Sequence, residues 1–188
     1  MKIVGGYLKG KKIIDPTDKS TRPLKNIVRE SIFNILEHSK KEYVNLNNST
    51  ILDLFSGTGS FGIECLSRGA SKVIFFENYS KSIQILKKNI DQLKLNKKTK
   101  IINESAYNIC QKNVIKNNYD LIFLDPPFKD QNINQLISDI KKFKIANNKT
   151  LILIHRNKKF IDTFCKELVI LRENKYGLSR IIFGKILK

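Results

Sequence analysis

A chain of 188 residues with 35 Lys and Arg against 17 Asp and Glu has room for one substantial core, and its 41% hydrophobic and 28% charged residues read as a soluble globular protein. No apolar run is long enough to span a bilayer, and the start MKIVGGYLKGKK lacks the apolar stretch of a secretory signal. A membrane or secreted protein is therefore not expected, and a cytoplasmic one is. The formal charge of +18 attracts polyanions, nucleic acid first, although 29 of the 35 basic residues are lysine and the excess is spread along the chain, so it locates no patch by itself.

In chain order, KIVGG and LKGKKII predict a small hairpin. RPLKNIVRESIFNILEHSK predicts a helix with Val28, Ile32 and Ile35 or Leu36 facing inward, for which Pro23 is a suitable start. The polar stretch VNLNNST separates this extension, residues 1–48, from a second unit, residues 49–188. From there, TILDLF, KVIFF, KIIN, DLIFL and TLILIH are apolar runs bounded by polar or turn residues, as strands buried on both faces of a sheet should be. Helical patterns between them, such as Ile83, Leu86, Ile90 and Leu93, make the order β-α-β and the sheet mostly parallel. Gly69 is placed to end the first crossover helix in a left-handed cap. ELVILRENKYG and SRIIFGKIL predict two strands joined at Gly177, an antiparallel hairpin at the end of a mixed α/β sheet.

Ligands of open parallel sheets bind beyond the carboxyl ends of the strands, so strand-ending residues carry the functional signal. The first strand ends in Asp53 and the glycine loop SGTGSFG, with Gly57 and Gly59 in GxGxxG spacing. Glu77 ends the second strand, 24 residues after Asp53, the distance expected of an acid that accepts hydrogen bonds from both ribose hydroxyls. Ser105 and Ala106 lie just past the third. A carboxylate rooted at the glycine loop repels a pyrophosphate but favours a cation, so S-adenosylmethionine, with its ammonium and sulfonium, fits better than NAD.

The fourth strand ends in Asp125, Pro126, Pro127 and Phe128. Two prolines fix the backbone and remove two amide donors, leaving carbonyls pointed outward. A carboxylate, an outward carbonyl and an aromatic face suit a planar base with an exocyclic amino group. Asp125 and a loop carbonyl would hold its two N–H groups while Phe128 stacks on the ring. No cysteine lies at a predicted strand end, which argues against a cysteine-nucleophile mechanism. Cys65, Cys110 and Cys165 are odd in number and far apart, so buried reduced thiols are expected. His38 and His155 stand without a Cys or Asp partner at useful spacing and read as solvated or core histidines, and no metal is expected.

Together, IVGGYLKGKKI, RPLKNIVRESIFNIL, LDLFSGTGSFGIECLSRGASKVIFFE, LDPPF and KYGLSRIIF resemble, over nearly the whole chain, the bacterial 16S rRNA guanine-N2 methyltransferases of the RsmD type. The resemblance implies the class I methyltransferase fold, a Rossmann-like three-layer sandwich with a seven-stranded sheet and an N-terminal hairpin and helix that help hold substrate. It also implies S-adenosylmethionine as donor and a guanine of 16S rRNA, in a small ribosomal subunit or its assembly intermediate, as acceptor, with a monomeric enzyme expected. Position by position it places Asp53, Phe55, Gly57 and Gly59 at the cofactor loop, Glu77 at the ribose, Ala106 with its neighbour Ser105 at the adenine, and Asp125 to Phe128 at the base. Arg22 and Arg29 fall on basic positions that meet RNA phosphate or close over the cofactor, whereas Leu24, Lys25, Asn26 and Ile27 depart from the family pattern RPTTDRVRE. Adenine-N6 methylation of DNA or RNA, an NAD-dependent dehydrogenase and a noncatalytic RNA-binding assembly factor stay open as alternatives.

Overall fold

A computed structural model describes residues 1–16, 24–39, 43–111, 118–160 and 162–187. Seven strands form one sheet: β1 (Thr50–Leu54), β2 (Lys72–Glu77), β3 (Thr99–Asn103), β4 (Leu121–Leu124), β5 (Leu151–Asn157), β6 (Leu168–Tyr176) and β7 (Ser179–Ile186). Their order is β3-β2-β1-β4-β5-β7-β6, with β1 to β5 parallel and β7 antiparallel to both β5 and β6. The five apolar runs and the terminal hairpin lie where the sequence predicts them. The order of the hairpin is a tertiary result, because the later strand β7 inserts beside β5 and leaves β6 at the edge.

Period-two alternation divides the sheet's side chains between two cores. One face, including Ile51, Phe75, Phe123 and Phe183, packs against α1 (Asn26–His38), α2 (Ser60–Ser67) and α3 (Ser80–Gln92). The other, including Leu52, Phe76, Leu124 and Ile154, packs against α4 (Ile133–Lys142). The first core also contains Ile3, Leu8, Ile13, Val28, Ile32 and Phe33, so the N-terminal extension shares its interior with the sheet. Stacked rings of Phe33, Phe61 and Phe123, at centroid separations of 5.3 and 3.9 Å, run from α1 through α2 to β4.

The predicted N-terminal hairpin is reduced to one antiparallel bridge, Lys2 to Lys12, with the bonds Ile3 N–H to Lys11 O and Ile13 N–H to Met1 O beside it. Much of its hydrogen bonding goes to α2 instead. The Glu64 carboxylate accepts from the amides of Val4 (2.9 Å) and Gly5 (2.7 Å), and Ser67 Oγ accepts from Leu8 N–H. In α1 the inward residues are Val28, Arg29, Ile32, Phe33 and Leu36, which decides for Leu36 over the half-buried Ile35. Pro23, expected at the helix start, lies outside the described residues. Gly69 has φ of 104° and donates to Leu66 O, the left-handed cap expected of it.

Candidate active site

Strand order reverses between β1 and β4, and the carboxyl ends of these two strands open the crevice where α/β folds bind ligands. A cavity of about 290 Å³ lies there. Of the predicted site residues, Asp53, Phe55, Gly57, Glu77, Asp125, Pro126, Pro127 and Phe128 all line it, joined by Leu24 from the extension. An adjoining cavity of about 150 Å³ shares Phe55, Glu77 and Pro127 and is lined by Ser105 and Ala106, so these two occupy the far end of the same crevice.

The backbone at the end of β1 is shaped for close approach. Phe55 has φ of 64°, an uncommon conformation for a bulky residue, and its ring meets Tyr107 edge-on at 5.4 Å. Gly57 has φ of 54° and donates its N–H to Glu77 at 2.7 Å. Gly59 does not line the cavity as predicted, because it turns into α2, where an added Cβ would stand 2.3 Å from Leu86 Cδ1. The third glycine, Gly62, presses on Phe75 in the same way. Two of the three glycines therefore serve helix packing.

Glu77 is already occupied on the protein side, accepting from the amides of Gly57, Asn78 and Tyr79. A carboxylate has about four lone-pair sites, so acceptor capacity remains for hydroxyls. Asp53 is buried and accepts one bond from Gly62 N–H at 3.0 Å, while its Oδ1 is buried with no hydrogen-bond partner. Burial pushes this carboxyl well above its ordinary range; the Gly62 amide opposes the shift, and Asp125 and Glu77 add to it. An orphaned buried oxygen in a cluster of three acids is what a cationic ligand would satisfy.

Sequence reasoning misplaced two residues. His155 is not an isolated histidine: it lines the cavity, its Nδ1 lies 2.8 Å from Asp125 Oδ1, and its Nε2 lies 2.9 Å from Ser179 Oγ. The pair is formed across neighbouring strands by residues thirty positions apart, which spacing along the chain does not reveal. Arg29 is not available to RNA phosphate. It is 0% exposed, bonded to Lys2 O and Asn26 Oδ1, and 3.7 Å from the buried Glu64. Its position four residues before the buried Phe33 already places it on the apolar stripe of α1. Arg22 lies outside the described residues. Of the three cysteines, expected to be buried, Cys65 is and Cys110 is exposed.

The adjacent Arg156, also unforeseen, holds the proline loop. Its guanidinium donates to Pro127 O (3.2 Å), Asp130 O (2.8 Å) and the Asp162 carboxylate (2.7 Å). Consecutive residues of β5 thus fasten both ends of the loop, His155 the Asp125 carboxylate and Arg156 the carbonyls that follow.

The family model described as Conserved hypothetical protein 95 matches residues 1–185. The Bacillus subtilis protein YlbH is 31% identical over 98% of this chain and 98% of its own length. Ribosomal RNA small subunit methyltransferase D of Buchnera aphidicola subsp. Acyrthosiphon pisum is 34% identical over 84% of this chain and 78% of its own. The solved structure of HI0767 from Haemophilus influenzae superposes with a TM-score of 0.76 at 28% identity, covering 100% of this chain and 98% of that one. With a switch-point crevice lined by acids, a seven-stranded sheet of methyltransferase order and a match over almost its full length, the chain belongs to the RsmD family of methyltransferases, the family of Conserved hypothetical protein 95.

Proposed function

We propose that this protein transfers a methyl group from S-adenosylmethionine to the N2 amino group of a guanine in 16S rRNA, acting in the cytoplasm as a monomer on the small ribosomal subunit or an assembly intermediate. The observation that carries the reading is electrostatic. In a chain of charge +18, the described residues lining the main cavity include three carboxylates and no Lys or Arg. Such a cavity repels a dinucleotide pyrophosphate and favours a cationic donor. The similarity to the Buchnera ribosomal RNA small subunit methyltransferase D supports the substrate class.

Bound in this crevice, the donor supplies an electrophilic methyl group on a sulfonium. Asp53 would face its ammonium, Gly57 and Phe55 its amino-acid end, Glu77 its ribose, and Ser105 with Ala106 its adenine. Asp125 holds the acceptor amine and takes its proton after transfer, and Phe128 stacks on the base. Pro127 O is filled by Arg156 and the Asp130 amide, so the loop carbonyl for the second amine N–H is that of Pro126.

Tritiated donor, wild-type protein and small subunits from cells lacking it provide the test, with nucleoside analysis of the product. Label in N2-methylguanosine is expected. Label in N6-methyladenosine would reassign the base, and no transfer to rRNA would overturn the reading.

Asp53 adds a pH prediction. Its folded pKa is raised, so stability from this group is complete below the unfolded value of about 3.9 and is lost as pH rises towards the folded value. An Asp53→Asn variant has no such slope, and its melting temperature should gain on wild type as pH rises from acid towards neutral. A cation prefers the ionised form, so wild-type affinity for the donor should increase over the same range while that of the variant stays flat, as read by calorimetry.

His155 can be tested atom by atom. An ionised Asp125 only accepts, so it fixes the proton on Nδ1 and makes His155 a positioning residue for the carboxylate. His155→Asn keeps a donor at the Nδ1 position, whereas His155→Gln keeps one only near Nε2. We expect the Gln variant to lose about 100-fold in single-turnover rate, with donor affinity unchanged, and the Asn variant to recover most of it. Equal rates for the two would rule out the positioning role.

A further inference from the structure

A second cavity, of about 470 Å³, shares Phe128 with the main one. Its lining includes Lys129, Asp130, Arg156, Phe160 and Asp162. We propose that it holds the nucleotide next to the target guanine on single-stranded RNA, its base against Phe160 and its phosphate among Lys129, Lys158 and Lys159. The inference rests on the reading of the protein as an RNA methyltransferase and deepens it.

The two cavities share a wall and differ in charge. The acids of the second are engaged by the protein: Asp162 lies between Arg156 (2.7 Å) and Arg180 (3.1 Å), and the Asp130 carboxylate accepts from the Tyr107 hydroxyl and, at 3.0 Å, from Asn132 N–H. Lys129 on its lining is exposed, as are Lys158 and Lys159 on the segment that leads to Phe160. A phosphate is therefore favoured here and disfavoured in the first cavity, which is the division that a guanine in the acidic pocket and its continuing backbone outside it require.

Phe160 is 40% exposed, a large aromatic surface beside two lysines. The turn that carries it is built in advance: the buried Asn157 accepts from Lys159 N–H (2.9 Å) and Phe160 N–H (3.1 Å), and Lys158 N–H donates to Leu178 O (2.8 Å). Arg156 ties the opposite wall to the same floor through Pro127 O and Asp130 O. An aromatic platform with adjacent cations on a fixed turn is the arrangement by which single-stranded nucleic acid is bound through stacking and phosphate contacts. Phe128, common to both cavities, stands between the target base and its neighbour.

The test is binding of a short labelled oligouridylate across a salt series, without methyl transfer. Phe160→Ala should weaken binding about tenfold, and Phe160→Trp should restore it. Replacing Lys129, Lys158 and Lys159 together by Gln should lower the slope of log affinity against log salt by about two. The same change at Lys87, Lys88 and Lys94, three exposed lysines in and just after α3, should lower it less. Wild-type affinity in Phe160→Ala, or equal losses in the two lysine variants, would overturn the subsite. Because none of these measurements needs turnover, wild-type protein that methylates rRNA while the subsite variants bind normally would sink this inference alone, and wild-type protein that methylates nothing would sink the reading of the main site.

Discussion

Asp125→Ala is expected to lower methyl transfer by about 10²- to 10⁴-fold, the range for loss of a positioned proton acceptor, while leaving donor affinity within a few fold. The expectation follows from how the carboxylate is shared. Asp125 Oδ1 is taken by His155 at 2.8 Å, which leaves Oδ2 for the acceptor amine. Its side chain is 18% exposed at the cavity wall, and neither Gly57 nor Glu77 depends on it for a hydrogen bond. Asp125→Asn should be nearly as poor, because the His155 donor claims its one oxygen and turns the amide N–H₂ towards an amine that also donates. Single-turnover rates with donor titrations separate the loss of rate from any loss of binding. An Asp125→Ala enzyme within tenfold of wild type would remove this residue from the chemistry.

Glu64→Ala is expected to cost about 3–5 kcal/mol, the penalty for breaking a buried charge cluster by removing one partner. Glu64 is 0% exposed and accepts from the amides of Val4 and Gly5 and from Arg68 Nε (2.9 Å), with the buried Arg29 3.7 Å away. Burial pulls the Arg29 guanidinium down from its ordinary value, and Glu64 is the largest opposing influence, so truncation leaves a buried cation with less to balance it. At about 2–4 °C per kcal/mol for a chain of this size, the melting temperature should fall by about 6–20 °C. Early proteolysis near Val4 and Gly5, detected by mass spectrometry, would show that the N-terminal segment is released first. An unchanged melting temperature would mean that this cluster does not hold the extension to α2.

The residues that lay in the open reading of the chain and those that did not differ for a physical reason. Strands buried on both faces must be continuous apolar runs, so TILDLF, KVIFF, KIIN, DLIFL and TLILIH announced five of seven strands, and the carboxyl ends of parallel strands converge, so Asp53, Glu77 and Asp125 could be assigned to one crevice before any coordinates. Gly57 and Gly59 looked equivalent in GxGxxG, yet one approaches the cavity and the other packs on Leu86, a distinction made by the neighbouring helix. Arg29 was legible in principle from its place on the stripe of α1, but its partner Glu64 comes from another helix.

From the sequence alone come the fold class, the strand-end acids and the proline loop, because local burial pattern and backbone chemistry are written in adjacent residues. Only tertiary structure decided that His155 and Arg156 fasten the two ends of that loop, that β7 lies between β5 and β6, and that Phe128 lines both an acidic cavity and a second one lined by Lys129, Arg156 and Phe160. Those are contacts between strands and loops far apart in the chain, and a side chain acquires a partner across a sheet only when register and crossover direction bring the two together.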